Sequence, residues 1–160
     1  MVKKTKESET KILNGKNFCQ IGIVVKNIDK TIDFYTKMFG FGPYEIKYVD
    51  YSAATYYGKT AGYRGKRAFF NIGPGIEIEL IELIDGKTIH EDFLKKHGEG
   101  LNHIGFKVKE LRKSRENAQK AGFQITQGFM RPDGSGFAYL DTDKTGGVIF
   151  ELIEEPPKQT

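Results

Sequence analysis

The chain has 160 residues, 38% of them hydrophobic, with one cysteine, three histidines and a formal charge of +4. That length can bury one core, or two half-size modules sharing one, while the cysteine count excludes an internal disulfide framework and a Cys/His structural zinc site. Lys3, Lys4, Lys6, Lys11 and Lys16 against Glu7 and Glu9 put +3 in the first sixteen residues, so the body is near neutral and lacks the clustered basic footprint of nucleic-acid binding.

No apolar run approaches the roughly 20 residues of a membrane helix, and residues 1–10 lack the apolar stretch of a signal peptide. The expectation is a cytoplasmic protein without membrane or nucleic-acid partners.

Residues 1–16 read as a flexible basic tail, and 17–84 as a first module. In it a strand at 20–26 leads to a helix at 29–39, where Ile28, Ile32, Tyr35 and Phe39 recur at helical spacing, Asp29 is placed to cap and Gly40 to stop. Strands are predicted at 44–50, 53–57, 68–72 and 76–82. Cys19 reads as core. Residues 85–100 form a linker helix with Ile89, Phe93 and Leu94 inward and His90 and His97 on its surface. A second module at 101–154 holds a strand at 103–109, a helix at 110–121 and strands at 124–128, 136–140 and 148–154; residues 155–160 are a tail. Gly73-Pro-Gly75 and Asp133-Gly-Ser-Gly136 read as turns, because neither precedes a helix signal.

The two modules repeat each other. Gln20-Ile-Gly-Ile-Val-Val-Lys26 aligns without a gap on His103-Ile-Gly-Phe-Lys-Val-Lys109, and Ile76-Glu-Ile-Glu-Leu-Ile-Glu82 on Val148-Ile-Phe-Glu-Leu-Ile-Glu154, sharing Glu-Leu-Ile-Glu. Two copies packed about a pseudo-twofold axis bring equivalent positions to one cleft. The polar residues there are Gln20 and His103, heading the first strands, and Glu79 and Glu151 on the last. Glu151 shares its strand face with Ile149 and Ile153, and a carboxylate on an apolar face needs an ion pair, a raised pKa or a metal. Three oxygen donors with one imidazole suit a divalent ion such as zinc, manganese, cobalt or nickel.

Over about 17–154 the chain resembles the vicinal oxygen chelate superfamily, which includes glyoxalase I, methylmalonyl-CoA epimerase, extradiol dioxygenases and bleomycin-resistance proteins. The motifs are Gln20-Ile-Gly-Ile-Val-Val with Ile32-Asp-Phe-Tyr-Thr-Lys-Met-Phe-Gly40, Ile78-Glu-Leu-Ile-Glu82, Gly98-Glu-Gly-Leu-Asn-His-Ile-Gly-Phe106 and Lys144-Thr-Gly-Gly-Val-Ile-Phe-Glu-Leu152. The resemblance implies an α+β fold, two tandem βαβββ modules forming a cupped mixed sheet around a metal site. Its ligand positions fall on Gln20, Glu79, His103 and Glu151. It also implies a homodimer.

Phe93-Leu-Lys-Lys-His-Gly-Glu-Gly-Leu-Asn-His103 and Asp143-Lys-Thr-Gly-Gly-Val-Ile-Phe-Glu151 look most like methylmalonyl-CoA epimerase. Gln20 stands where the epimerase has His, so the ligand set is similar to that of glyoxalase I. The epimerase's second acid has no counterpart in 61–68, and the glutathione-clamping positions of glyoxalase I carry Val24 and Leu83. Gln20 also removes a histidine that an extradiol iron site needs.

The expected function is a metal-dependent isomerase or lyase that abstracts a proton next to a carbonyl or thioester, epimerase-like. The alternatives are a glyoxalase I-like lyase and a metal-free small-molecule-binding protein of the resistance type. Glu151 is the expected base, with Glu79 as ligand or partner base. For an acyl-CoA substrate, Arg64, Lys66, Arg67 or Lys144 are candidates to meet phosphates, and Phe69, Phe70 and Tyr57 to line the acyl pocket.

Overall fold

A computed structural model describes residues 11–157. Its elements are β1 (Phe18–Val24), α1 (Ile28–Phe39), β2 (Tyr44–Tyr51), the short β3 (Thr55–Tyr56) and β4 (Lys59–Thr60), β5 (Tyr63–Gly73), β6 (Ile76–Gly86), α2 (Ile89–His97), β7 (Gly100–Lys107), α3 (Leu111–Lys120), β8 (Ile125–Met130), β9 (Gly136–Leu140) and β10 (Ile149–Glu154). All ten strands join one mixed sheet in the order β2-β5-β6-β1-β7-β10-β9-β8-β3-β4. Within each half the first strand is parallel to the last, β1 to β6 and β7 to β10, and the halves meet where β1 runs antiparallel to β7. This is the α+β, two-module curled mixed sheet that the family resemblance implies.

Strand alternation sorts the side chains into two layers. On the outer face Phe70, Ile78 and Leu80 pack with Ile28 and Ile32 of α1; in the second half Leu140 and Leu152 pack with Leu111 and Ala118 of α3. Each fully buried aliphatic or aromatic side chain here contributes about 1.5–3 kcal/mol of hydrophobic stabilisation. The inner face holds the polar residues of the seam, flanked by Tyr63, Phe137 and Tyr139.

The shared Glu-Leu-Ile-Glu has a structural reason at both ends. Its last glutamate reaches outward to the first turn of its own module's helix: Ile28 N donates to Glu82 Oε2 and Leu111 N to Glu154 Oε2, each at 2.6 Å. A carboxylate there satisfies an orphan N–H and complements the helix dipole. The first glutamate, Glu79 or Glu151, points inward.

Several local expectations are corrected. The cap of α1 is Asn27, whose side chain accepts from Lys30 N, while Asp29 pairs with Lys66 across the outer face. The strand expected at 53–57 shrinks to β3, which leaves its own half and pairs with β8 of the other; the chain then turns at Tyr57, a non-glycine residue with φ 47. Strand β5 starts at Tyr63 rather than at 68. The tail expected to be free through residue 16 is docked from Ile12, since Ile12 and Leu13 pack against the Leu111 cluster and Gly15–Asn17 form a 3-10 turn; its first ten residues, and the last three of the C-terminal tail, lie outside the described residues. His90 is buried rather than on the surface of α2, because that face of the helix lies against Tyr63 and Tyr139 inside the curl. His97 is exposed.

Candidate metal centre

The sheet brings Gln20, Glu79, His103 and Glu151 together, all four buried. Ligand atoms of Glu79, His103 and Glu151 lie within 4.8 Å of one another. Three oxygens crowd one ring nitrogen: from His103 Nε2, Glu151 Oε2 is 3.0 Å away, Gln20 Oε1 3.3 Å and Glu79 Oε2 3.5 Å. That nitrogen can offer at most one proton, and Glu151 Oε2 is left without a hydrogen bond. An amide oxygen, two carboxylates and an imidazole facing one point, with a buried carboxylate oxygen unsatisfied, is a donor set that fits a divalent cation.

Supporting residues fix the orientation of each group. Asn102 Oδ1 lies 3.0 Å from His103 Nδ1 and accepts its proton, which leaves the Nε2 lone pair of the neutral ring aimed at the oxygens. Gln20 Nε2 donates to Glu77 Oε1 at 2.9 Å, turning the Gln20 oxygen toward His103. The far oxygen of Glu79 lies 3.2 Å from Nε of Arg67, a buried guanidinium on β5.

The electrostatics follow from this crowding. Burial alone would discharge the His103 imidazole, but Glu151 and Glu79 outweigh it and hold the group up at about 9, so that a proton occupies the position between the oxygens. His90 behaves oppositely: burial, Arg67 and His103 together hold it well below its ordinary value. Burial raises the Glu77 carboxyl and pushes the Cys19 thiol to about 11.

A cleft of about 290 Å³ is lined by Gln20, Glu79 and Glu151, with His103 fully buried behind them. Its walls include Lys47, Val49 and Tyr51 from β2 and Phe69 from β5, with Arg131 and Phe137 opposite. The larger clefts of about 720 and 650 Å³ contain none of the four, and convergent polar groups weigh more than volume in locating a site.

Of the candidates for acyl-CoA contacts, only Phe69 and Arg67 border this cleft, and Arg67 is committed to Glu79. Lys66 pairs with Asp29, Arg64 with Asp85, and Lys144 Nζ donates to the Gly122 carbonyl. Phe70 lies on the outer face in the α1 core, and Tyr57 lines the 650 Å³ cleft. Sequence reasoning did not single out Arg67 as a partner of Glu79, nor Asn102 and Glu77 as supports. The sequence signal for Asn102 is its adjacency to His103; that for Glu77 is its place two residues before Glu79 on the same strand face.

Residues 19–139 match the Glyoxalase/Bleomycin resistance protein/Dioxygenase superfamily. The Bacillus subtilis protein YqjC, itself uncharacterized, is 28% identical over 84% of this chain and 89% of its own length. Lactoylglutathione lyase GLX1 of Arabidopsis thaliana is 26% identical over 90% of this chain, which spans 46% of that protein. Among solved structures, methylmalonyl-CoA epimerase from Mycobacterium tuberculosis superposes with a TM-score of 0.68 at 20% identity, covering 88% of this chain and 89% of that one. A variant of the Streptomyces coelicolor epimerase in complex with 2-nitronate-propionyl-CoA gives 0.69 at 20% identity, covering 88% and 98%. At these identities the structural likeness is one of fold.

Proposed function

The chain belongs to the glyoxalase/bleomycin resistance protein/dioxygenase superfamily, and on that premise we propose that its central cleft is the active site of a divalent-metal-dependent isomerase or lyase. The reaction is removal of a proton from carbon next to a carbonyl or thioester, with an epimerase acting on a 2-substituted malonyl-CoA type of thioester as the leading reading. The observation that carries it is the convergence of Gln20 Oε1, Glu79 Oε2 and Glu151 Oε2 on His103 Nε2, with Glu151 Oε2 unsatisfied.

These four side chains would hold the ion, which when bound supplies a Lewis acid for the oxygen that gains charge as the neighbouring C–H bond is broken. Gln20 is held by Glu77, and Asn102 keeps the His103 ring turned. Arg67 holds one oxygen of Glu79, restraining that carboxylate as a ligand. Glu151 has no guanidinium beside it, only the His103 ring 3.0 Å from its Oε2, so it is the carboxylate less restrained and the one assigned to take the proton. Tyr51, Phe69 and Phe137 give the cleft aromatic walls, and Arg131 and Lys47 favour an anionic substrate.

A glyoxalase-type isomerisation of a hemithioacetal is the second reading, favoured by one observation: the cleft residues of β2 and β5 are Lys47, Val49, Tyr51, Tyr63, Arg67 and Phe69, with no carboxylate to serve the opposite face of the substrate carbon.

The test is metal analysis of the purified protein, followed by solvent-deuterium exchange and inversion measured on methylmalonyl-CoA beside turnover of a glutathione hemithioacetal. Stoichiometric metal with exchange and inversion supports the epimerase; turnover of the hemithioacetal alone supports the lyase. Absence of both activities and of stoichiometric metal would reject the enzyme reading in favour of a ligand-binding protein.

A further inference from the structure

We propose that the cleft of about 650 Å³ is a second ligand site, suited to an apolar amine that also carries a carbonyl, and that its occupancy is felt at His103 through Asn102. The site stands on its own residues; the coupling rests on the metal-centre reading above.

This cleft lies where the starts of β7, β8 and β10 and the end of β9 meet α2. Ile89 and Phe93 of α2, with Leu140 and Ile149 of the sheet, give it apolar walls. Tyr57, Leu101 and Val148 also line it and are 36–57% exposed, so a molecule held there removes large apolar surface from water.

Two side chains of the same wall have an unpaired polar atom. Asn102 is only 4% exposed, yet its Nδ2 has no hydrogen-bond acceptor among the described residues. Asp141 accepts from Gln124 N through Oδ2 at 2.8 Å, while its buried Oδ1 accepts from nothing. Buried polar groups are seldom left unpaired, because neither protein nor bulk water then repays their desolvation. A ligand against this wall supplies what is missing: an acceptor for Asn102 and a donor for Asp141. Asp92, Asp141 and Asp143 line the cleft against one lysine, Lys96, so the donor is best a cation. The same charge disfavours the phosphates of an acyl-CoA, which separates this cleft from the substrate site.

Asn102 joins the two places. It lines this cleft, and its Oδ1 lies 3.0 Å from Nδ1 of His103, which is fully buried and lines neither this cleft nor the 290 Å³ one. When Nδ2 donates to a ligand, the amide polarises and its Oδ1 becomes a stronger acceptor. A stronger bond at Nδ1 makes the other ring nitrogen a better electron donor to a metal ion. Ligand and metal therefore favour each other, by the same factor in each direction.

The probe is N-(2-aminoethyl)benzamide, which combines a ring, a carbonyl and an ammonium, with benzoylglycine as a control of similar shape and opposite charge. Calorimetric titration of the metal-free protein is expected to show saturable one-to-one binding of the amine at roughly 1 mM or below. Benzoylglycine is expected to bind at least about tenfold more weakly, and Asp141→Asn to weaken the amine about tenfold. Val148→Trp, which fills the cleft from a partly exposed position, is expected to abolish binding; circular dichroism shows whether each variant is folded. In wild type the amine is expected to shift the side-chain NH₂ resonances of Asn102 and to tighten zinc binding about fivefold. No saturable binding, equal binding of benzoylglycine, or binding indifferent to Val148→Trp in a folded protein would overturn the site. Unchanged zinc affinity with the amine bound would overturn the coupling. A protein that binds the amine but takes up no zinc refutes the metal-centre reading and leaves the site standing.

Discussion

Gly22 lies directly across the β1–β7 ladder from His103, and a Cβ at that position would run into the imidazole ring. The relation is reciprocal: Gly105 faces Gln20, whose Cβ stands 2.9 Å from where a Gly105 Cβ would be. Each inward ligand therefore rests on the glycine of the other half's Ile-Gly.

Gly22→Ala is expected to destabilise the protein by about 1–3 kcal/mol, as overpacking of a filled site does, and to displace His103 so that bound metal is lost. Gly73→Ala, where an added Cβ meets nothing, is the control. Urea denaturation and elemental analysis of both variants check this; a Gly22→Ala protein with normal metal content would contradict it.

Arg67→Met leaves the buried Glu79 carboxylate without its cation. Breaking a buried pair in this way costs about 3–5 kcal/mol. The cost is expected to be smaller in the presence of saturating zinc, because an ion would take over part of the compensation. Equal losses with and without zinc would show that Glu79 does not face the ion.

In the metal-free protein His103 is held up at about 9, against about 6.5 in an unfolded chain. A raised folded value means that the protonated ring stabilises the metal-free fold fully below about pH 6.5, and that this contribution is lost as pH rises through about 9. An ion must displace the same proton, so apparent metal affinity is expected to rise about tenfold per pH unit from neutrality to about pH 9 and then level off. Calorimetric titration with zinc in buffers of different protonation enthalpy should report release of about one proton at neutral pH. No release would remove His103 from the ligand set.

Glu151→Gln keeps size and polarity while removing the base. Proton abstraction, read as deuterium exchange into whichever substrate the wild type turns over, is expected to fall about 10²–10⁴-fold with the fold intact. Near-normal exchange would exclude Glu151 as the base.

The sequence makes the repeat legible because both halves keep the residues that the site and the helix caps need: Gln or His before Ile-Gly, and a glutamate at each end of Glu-Leu-Ile-Glu. Arg67 was hidden because a basic residue near a predicted strand end reads as solvent-facing; only the register of β5 on β6, which pairs Phe69 with Glu79 and Arg67 with Ile81, turns it inward. His90 was hidden for a related reason. Helical spacing identifies Ile89, Phe93 and Leu94 as one apolar stripe but not that the helix start plugs the curl beside Tyr139. The crossing of β3 to β8 is a long-range pairing of two residues on each side, too short to leave a local pattern.

The β1–β7 seam has the geometry of a subunit interface enclosed within one polypeptide. A half-length ancestor carrying a ligand and a glycine on its first strand and a glutamate on its last would have closed a four-ligand site by pairing with itself. With two such copies in one polypeptide the ligand positions can differ, an amide in one half and an imidazole in the other, whereas any side chain in place of the glycine opposite would meet the facing ligand. The exchanged β3 strand makes the halves dependent on one another, so neither is expected to persist as an independent protein once separated at the segment between α2 and β7.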